Sequence, residues 1–438
     1  MLYCPFLPGP IYKEMHHPVV PPASSMKIAA GIFVLALAIR LLILAWLPLA
    51  SMQSVDESEY MVLGQNLRLH HTFSFGSTPH KWGETSVLNA PGPYLPTAAR
   101  PPLYPLLIAT LWRGDAPPFL EVALVQVVLG ALTAVLVYLV ALRALGRRVA
   151  IVAGLGMALA PESASYVVNA LTEPLYTFLM VTVVWLWGRK QGLLAGLLLG
   201  AAVLTRSAAV VLIPLLLLMG LAWRFNRALH LKIALAALLA MTPWIARNYV
   251  TQNEFTPVAN YGWGSVLFFS TVDVPYWSGN PFEVWFADKD ARAIFAESTT
   301  IKAAETRLRA AALERIMENP LGYAWTRVTD FPRLFLDHGT SYMPVLPLPK
   351  DLVKIVFLSA SVIFVALSIC GLYLARKEWQ RVYFIALVPI ACLGTQFVGA
   401  SQLRYSIPMV PFMMVFAALA ACNFWALAMK ALGRPRLA

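Results

Sequence analysis

Two adjacent carboxylates stand where the first long apolar run of this chain ends, in the segment "SVDESEY". A positioned Asp or Glu can remove a proton from a hydroxyl group, so Asp56 and Glu57 are candidate general bases. Ser54 and Glu57 also fit a helix capping box, which explains both residues without any chemistry. That alternative does not require Asp56, although a cap would fix the direction in which Asp56 points.

Four arginines stand at the ends of other apolar runs, where they are expected at a membrane boundary. They are Arg100 in "ARPPLYPLLIA", Arg206 in "VLTRSAAVVLIP", Arg247 in "TPWIARNYV" and Arg404 in "SQLRYSIP", where Tyr405 follows. Guanidinium groups bind phosphate oxygens through paired, charge-assisted hydrogen bonds. For Arg100 the alternative is an ordinary interfacial arginine whose stem lies along apolar surface.

Glu173, in "NALTEPLY", is expected to face the same compartment as Arg206. Charged side chains near hydrocarbon are costly and tend to pair or to mark a site, so the two residues form either a structural salt bridge or part of a functional cavity. Tyr and Trp at such boundaries commonly serve only as interface anchors. Taken together, a carboxylate, several arginines and many aromatics favour transfer from a lipid-linked phosphate donor over ion transport.

The elements that must position these residues are membrane helices. Of the 438 residues, 59% are hydrophobic and 13% are charged, with a mean hydropathy of +0.66. A soluble domain carries roughly 25% charged residues, so the composition predicts an all-α polytopic membrane protein with about 10–11 membrane helices. The candidate spans are 28–50, 119–142, 149–167, 173–188, 191–205, 207–223, 231–247, 353–375, 382–400 and 405–429.

The short connections between several of these spans are rich in Lys and Arg, which predicts that they face the cytoplasm. Residues 51–118 and 248–352 then face outside, and both termini face the cytoplasm. The apolar part of residues 100–112 would be about 16 Å long as a helix, too short for a ~30 Å hydrocarbon core. We expect a juxtamembrane or re-entrant helix there. The formal charge of +12 follows from the same bias, so no nucleic-acid partner is expected.

The chain divides into four parts. They are an N-terminal tail (1–26), a membrane module with its first outer loop at 51–118 (27–247), a small periplasmic subdomain (248–352) and C-terminal membrane helices (353–430). Met26 would make a more natural start than Met1. Within 288–318, apolar residues near helical spacing predict a helix that ends at Asn319-Pro320. No metal-ligand spacing is visible, so neither a metal nor another cofactor is expected.

An ordered set of segments between residues 27 and 425 resembles the bacterial branch of the polytopic GT-C glycosyltransferases. The likeness is to protein O-mannosyltransferases and to the transferase that adds aminoarabinose to lipid A. The segments are "VDESEYMVLGQNL", "RPPLYPLLIA", "LTEPLYTFLM", "LTRSAAVVLIPLLL", "PWIARNY", "FTPVANYGWG", "ERIMENP" and "LRYSIPMVPF". Each is weak singly, and their order and spacing together are specific.

The resemblance implies that Asp56 is the general base acting on an acceptor hydroxyl, with Glu57 as its acidic neighbour. It places Arg100 and Arg404 on the phosphate of a polyprenyl-phosphate sugar. Arg206 and Tyr405 are grouped with them as donor-binding residues, and the resemblance implies inversion at the anomeric carbon. Glu173, Arg247 and Tyr60 are assigned to the cavity. Two departures are the Arg rather than Lys before the Pro-Pro pair and an outer subdomain smaller than in the larger members.

The resulting hypothesis is a glycosyltransferase of the bacterial inner membrane, active on the periplasmic face, whose acceptor is a lipid, a glycan or a protein. Which of the two adjacent acids is the base stays open. A transporter or flippase of a lipid-linked sugar is the alternative, and it predicts discontinuous helices near mid-membrane together with inverted repeats. A purely structural assembly protein is a third possibility, which leaves the boundary arginines unexplained.

Overall fold

The fold is described from a computed structural model of the chain. The structure describes residues 23–49, 52, 54–76, 88, 92–274, 284–285, 287–336, 339, 342 and 346–432. Most of the predicted N-terminal tail, residues 1–22, and parts of both outer segments therefore lie outside the described residues. Helix α1 begins at Ala23, so the last residues assigned to the tail are helical.

Helices make up nearly all of the regular structure in the described ranges. They are α1 (Ala23–Trp46), α2 (Val55–His70), α3 (Leu103–Leu111), α4 (Phe119–Leu145), α5 (Arg147–Leu159), α6 (Pro161–Ser165), α7 (Glu173–Gly188), α8 (Gly192–Val203), α9 (Leu212–Ala222), α10 (Arg227–Gln252), α11 (Trp263–Ser270), α12 (Lys289–Glu297), α13 (Ile301–Glu318), α14 (Pro320–Asp330), α15 (Lys350–Leu374), α16 (Trp379–Val398) and α17 (Val410–Ala431). A single antiparallel bridge joins Ser74 to Pro96.

The chain is a multi-pass membrane protein, as predicted, and a helix lies at each of the ten predicted spans. Among the described residues, five stretches are long and apolar enough to cross a membrane, or six if the bent pair α5–α6 forms one span. They are Ser24–Trp46, Phe119–Leu145, Arg227–Gln252, Lys350–Val398 and Leu403–Ala431, with the pair Arg147–Leu159 and Pro161–Val168 as the sixth. Helices α7, α8 and α9 are shorter.

The two ends of the helix bundle gather different residues. At the end assigned to the cytoplasm, Arg143 donates to the carbonyl of Gly188 over 2.9 Å, and His230 lies 2.9 Å from the hydroxyl of Tyr383. The ends of α4, α7, α10 and α16 therefore meet there. The predicted outer ends meet at the opposite side, around the site described below. The alternation inferred from the Lys and Arg distribution is consistent with this arrangement.

The break between α5 and α6 shows how a charge is held within the bundle. Pro161 has no N–H group, so the carbonyl of Met157 lacks its usual helical donor, and the helix bends by 49°. Arg40, in the first span, is fully buried and supplies replacement donors to the carbonyls of Met157 and Ala158 over 3.4 and 3.3 Å. The arginine thereby satisfies backbone groups that no water would reach.

The two predicted outer segments, 51–118 and 248–352, contain different kinds of helices. Residues 103–111 form the nine-residue helix α3, which is too short to span, as predicted. In the second segment, α13 buries Ile301, Ala304, Leu308 and Ala312 along one face and ends at Glu318. Asn319 then caps α14, which begins at Pro320, so the predicted helix end is confirmed. The stretch 288–318 is not one helix, however, but forms the two helices α12 and α13. Helices α11 to α14, between the α10 and α15 spans, are called the outer subdomain below.

Candidate active site

Helix α2 fixes the position of Asp56. The side chain of Ser54 accepts a hydrogen bond from the backbone N–H of Glu57 over 3.2 Å, which caps the helix and confirms the Ser54 half of the predicted capping box. Asp56 lies in the first turn, where the positive end of the helix dipole favours a carboxylate. Because most of α2 is buried despite its polar sequence, this helix belongs to the protein interior rather than to an outer surface.

Both carboxylate oxygens of Asp56 are bound by arginines from distant parts of the chain. Arg100 donates to Oδ1 over 2.5 Å, and Arg404 donates to Oδ2 over 2.5 Å. Arg100 lies just before the Pro-Pro pair that leads into α3, and Arg404 lies in the short 3-10 helix Leu403–Tyr405. Asp56 is thus a bridge between two guanidinium groups at the site.

Arg100 has further partners that hold its side chain in place. Its Nε donates to Glu59, whose carboxylate is fully buried one turn along α2 from Asp56. Its guanidinium carbon lies 4.4 Å from the ring centre of Tyr261 and 5.5 Å from that of Tyr60. Both distances are within the range of a cation–π contact, so two aromatic rings and two carboxylates restrain this arginine.

A second ion pair forms another wall of the site. Arg206, in the break between α8 and the 3-10 helix Ser207–Val211, donates to Glu173 at the start of α7 over 2.6 Å. The ring of Tyr405 lies near both Arg206 and Arg404. Its centre is 5.1 Å from the guanidinium carbon of Arg206 and 5.2 Å from that of Arg404. The second pair is therefore linked to the first through one aromatic ring.

These residues surround one cavity of about 110 Å³. Its lining consists of Asp56, Tyr60, Arg100, Pro101, Leu171, Thr172, Glu173, Thr205, Arg206, Ser207, Tyr261, Arg404 and Tyr405. Seven of the nine predicted site residues lie on this lining. Segments from six separate parts of the chain meet here, and all of them belong to predicted outer ends.

Opposite charges balance in and beside the cavity. Three carboxylates, of Asp56, Glu59 and Glu173, pair with three guanidinium groups, of Arg100, Arg206 and Arg404. Burial alone would raise the pKa of Asp56, but the guanidinium groups of Arg100 and Arg404 outweigh it and hold that pKa well below its usual range. Burial raises the pKa of Tyr60 to about 12, so its hydroxyl keeps its proton at neutral pH.

Two predicted site residues lie off the cavity lining. The Glu57 carboxylate accepts a hydrogen bond from the backbone N–H of Ala170 over 3.1 Å, and so ties α2 to the loop before α7. Arg247 donates to the carbonyls of Thr97 and Phe73 over 2.6 and 3.4 Å, which fastens two stretches of the first outer loop to α10. Both contacts support the site from outside.

Glu59 and Tyr261 belong to the site but were not predicted. Glu59 follows Asp56 by three residues on the same helix, and that spacing places both carboxylates on one face. Tyr261 stands in "VANYGWG" just before Gly262, whose φ of 108° turns the chain into α11. Across the described part of the chain, no group of three His, Cys, Asp or Glu side chains could hold a metal ion.

Comparison with known proteins gives one family and several structural likenesses. The family described as dolichyl-phosphate-mannose-protein mannosyltransferase matches residues 99–246, a third of the chain. That stretch includes Arg100, Glu173 and Arg206 but neither Asp56 nor Arg404. The expected resemblance is confirmed over these residues. No curated protein sequence matches the chain.

Among solved structures, the oligosaccharyltransferase of Archaeoglobus fulgidus tethered to an acceptor peptide covers 95% of this chain at 14% identity, with a TM-score of 0.53. The same enzyme in complex with an inhibitory peptide and a dolichol-phosphate covers 95% at 13% identity, with a TM-score of 0.52. The chain spans about half the length of these structures, 52% and 53%.

A third solved structure is ArnT from Cupriavidus metallidurans bound to undecaprenyl phosphate. The match includes 93% of this chain and 79% of the ArnT chain, at 15% identity and a TM-score of 0.39. The likeness to the archaeal enzyme shows that the chain has the GT-C fold.

Proposed function

We propose that the protein is a membrane glycosyltransferase that moves a monosaccharide from a polyprenyl-phosphate donor to an acceptor hydroxyl, with Asp56 as the general base. The observation that carries the proposal is the bridge from Asp56 to Arg100 and Arg404. It places a proton acceptor beside two phosphate-binding groups in one cavity. Such a pairing is what transfer from a sugar phosphate to a hydroxyl requires.

In this proposal the donor phosphate binds the two guanidinium groups that also bind Asp56. Each guanidinium offers its donors to one carboxylate oxygen, and phosphate oxygens accept the same paired hydrogen bonds. Arg206 and Tyr405 complete this face of the cavity. A lipid-linked phosphate is supported by the family that matches around Arg100, whose name includes dolichyl phosphate, and by the dolichol-phosphate held by the archaeal enzyme of the same fold.

Phosphate binding releases Asp56 for catalysis. The free carboxylate accepts the proton of the acceptor hydroxyl as that oxygen forms its bond to the anomeric carbon. The bond between the anomeric carbon and the phosphate oxygen breaks, and polyprenyl phosphate leaves with the electron pair. Arg100 and Arg404 stabilise the negative charge that grows on the leaving phosphate. A single displacement of this kind inverts the anomeric configuration.

The periplasmic face of a bacterial inner membrane is the proposed location of the reaction. The cavity is lined by helix ends and loops that the Lys and Arg distribution assigns to the outside. The proposal places the lipid-linked donor at that face together with the acceptor, a hydroxyl of a lipid, a glycan or a protein. The sugar and the acceptor are left to experiment.

The break between α5 and α6 bears on the alternative of a transporter or flippase. Discontinuous helices form the substrate sites of many transporters. Here, however, the Arg40 guanidinium fills the break and bonds to the freed carbonyls, so the break holds a side chain of the protein itself. The carboxylates gather instead at one end of the bundle, which favours the transferase.

The test is incorporation of labelled sugar from polyprenyl-phosphate donors into membranes that contain wild type or Asp56→Asn. Asp115→Asn is the matched control, because Asp115 is an exposed aspartate of the same outer segment. We expect wild type and Asp115→Asn to transfer label and Asp56→Asn to lose about 10²–10⁴-fold in rate. Equal transfer by Asp56→Asn would refute its role as base, and movement of intact lipid-linked sugar without transfer would favour the transporter.

A further inference from the structure

The outer subdomain is hydrogen-bonded to the segment that leads into Arg404. Residues 398–401 connect α16 to the 3-10 helix Leu403–Tyr405, and each of the four makes one hydrogen bond to that subdomain. The bonds are Tyr323 hydroxyl to Val398 carbonyl (2.7 Å), Arg327 to Gly399 carbonyl (2.8 Å), Ala400 N–H to Val266 carbonyl (3.1 Å) and Ser401 N–H to the Asp330 carboxylate (3.0 Å).

Two of these bonds come from a buried ionic triad on and just after α14. The Asp330 carboxylate accepts from Arg327 over 3.2 Å and from Arg333 over 3.1 Å. Asp330 is 5% exposed, Arg327 is 2% exposed and Arg333 is 8% exposed. Arg327 and Arg333 also donate to the carbonyls of Ser270 and Val274, so the triad is anchored within the outer subdomain as well.

Folding stability alone does not account for such a triad. Replacing buried ion pairs by packed apolar side chains is often neutral or stabilising, because removing charges from water costs as much as their attraction returns. Apolar side chains, however, could not direct hydrogen bonds to the carbonyl of Gly399 and the N–H of Ser401. The ionic groups therefore fix the position of this backbone segment. Apolar packing alone would allow the segment to shift.

The position of the segment is passed on to Arg404 through a short, hydrogen-bonded turn. Ser401 is buried and lies three residues before Arg404. The N–H of Tyr405 donates to Gln402 over 3.0 Å, and that of Ser406 donates to Leu403 over 2.9 Å. No flexible linker separates the anchored residue from the arginine, so a shift at Ser401 moves the guanidinium relative to Asp56.

We propose that Asp330 and Arg327 are positioning residues that set the place of the Arg404 guanidinium, and with it the affinity for the donor phosphate. The inference rests on the proposed function, since it assigns the donor phosphate to Arg404. Neither residue touches the cavity; both act through the backbone of residues 399–401. The outer subdomain thereby helps to build the donor site from a distance.

The experiment measures binding of polyprenyl phosphate and donor KM for full-length protein in nanodiscs. Asp330→Asn is compared with Asp288→Asn, which disrupts the Asp288–Arg315 ion pair in the same subdomain without touching residues 398–401. We expect Asp330→Asn to weaken binding and raise donor KM by about tenfold, with acceptor KM unchanged. Asp288→Asn should leave the three quantities within about twofold of wild type.

A double-mutant cycle with Arg404→Gln decides whether the effect passes through Arg404. If it does, Asp330→Asn adds nothing to the loss already caused by Arg404→Gln. A full additional tenfold loss, or equal effects of Asp330→Asn and Asp288→Asn, would overturn the inference.

Two further results separate the possible failures. If Asp330→Asn does not fold, Tyr323→Phe takes its place, because it removes only the bond to Val398. We expect Tyr323→Phe to bind polyprenyl phosphate more weakly than wild type and Tyr249→Phe, at an exposed tyrosine of α10, to bind it as wild type does; equal affinities of the two variants would overturn the inference. If wild type neither binds polyprenyl phosphate nor transfers from it, the proposed function fails. If wild type does both and Asp330→Asn matches it, only the positioning role fails.

Discussion

Asp56 and Arg404 are 348 residues apart in the chain, yet their side chains form an ion pair of 2.5 Å in the cavity. The other oxygen of Asp56 is bound by Arg100 at the same distance. A carboxylate with both oxygens bound by guanidinium groups is a weak base. While Arg100 and Arg404 hold Asp56 the candidate base is therefore inactive, and a phosphate that takes over the arginines would activate it. Donor binding before acceptor attack follows from this arrangement.

Asp56→Asn should separate binding from catalysis. The amide cannot take up the acceptor proton, but it also no longer competes as an anion for Arg100 and Arg404. We therefore expect transfer to be lost while polyprenyl phosphate binds at least as tightly as to wild type, and by up to about tenfold more tightly. Binding of a labelled polyprenyl phosphate to purified protein measures this. Weaker binding than wild type would show that Asp56 supports the phosphate site rather than competing for it.

Glu57→Gln should be nearly silent. The Glu57 side chain faces the loop before α7, where an amide oxygen can still accept the bond from Ala170. We expect transfer rates within about threefold of wild type and a small loss of stability, since a hydrogen bond to a charged acceptor contributes only about 1 kcal/mol more than one to a neutral acceptor. Side-by-side rates of Glu57→Gln and Asp56→Asn identify the base. A loss for Glu57→Gln as deep as for Asp56→Asn would move the assignment to Glu57.

The pH dependence of transfer should differ between the empty and the donor-bound protein. Burial raises the pKa of Asp56, but Arg100 and Arg404 hold it well below the ordinary value of about 3.9 in the empty site. The carboxylate thus stays ionised as the pH falls through that value. The stability from its ion pairs is present above the ordinary pKa and is lost only as the pH falls to the depressed one.

Once a phosphate occupies the arginines, the pKa of Asp56 should rise. The acid limb of kcat, which reports the donor-bound protein, should then lie at higher pH than that of kcat/KM, which reports the free protein. Initial rates across the acid range at saturating and low donor concentration test this. Coincident limbs would contradict displacement of Asp56 by phosphate.

Arg40→Met should lower stability while leaving the chemistry intact. Removing the guanidinium leaves the carbonyls of Met157 and Ala158 without donors inside the bundle, at about 1–3 kcal/mol for each unsatisfied group. We expect a lower thermal midpoint in detergent and near-normal transfer per folded molecule. Arg113→Met, at an exposed arginine, is the control and should keep the wild-type midpoint. An unchanged midpoint for Arg40→Met would show that other groups satisfy those carbonyls.

Much of the site could be predicted because charges in an apolar chain have few uses. Asp56, Arg100 and Arg404 were singled out by their types and their places at the ends of apolar runs, and they line one cavity. The sequence could not decide between Asp56 and Glu57, because neighbours on a helix point about 100° apart and the rotation of α2 depends on its packing. Glu59 was missed because α2 resembles an exposed helix in sequence, although its neighbours bury it.

The sequence predicts the fold class, an all-α membrane protein, but it does not predict the course of every helix. Apolar runs show where helices lie, but not whether each one is continuous through the membrane. Helix α8 and the stretch Ser207–Ala222 are short apolar helices separated by the turn that carries Arg206. Neighbouring helices surround this turn, and the protection they give its backbone comes from tertiary contacts. The hydrogen bonds between the outer subdomain and residues 398–401 likewise could not be predicted from the sequence.

The balance of three carboxylates and three guanidinium groups also bears on turnover. A donor phosphodiester adds one negative charge to a neutral site, whereas the spent lipid phosphate is a monoester that carries close to two at neutral pH. After Asp56 passes the acceptor proton to water, the site with its product holds about two excess negative charges. Repulsion from Asp56, Glu59 and Glu173 is then greatest, so the acids that balance the three arginines should speed departure of the used carrier and limit product inhibition.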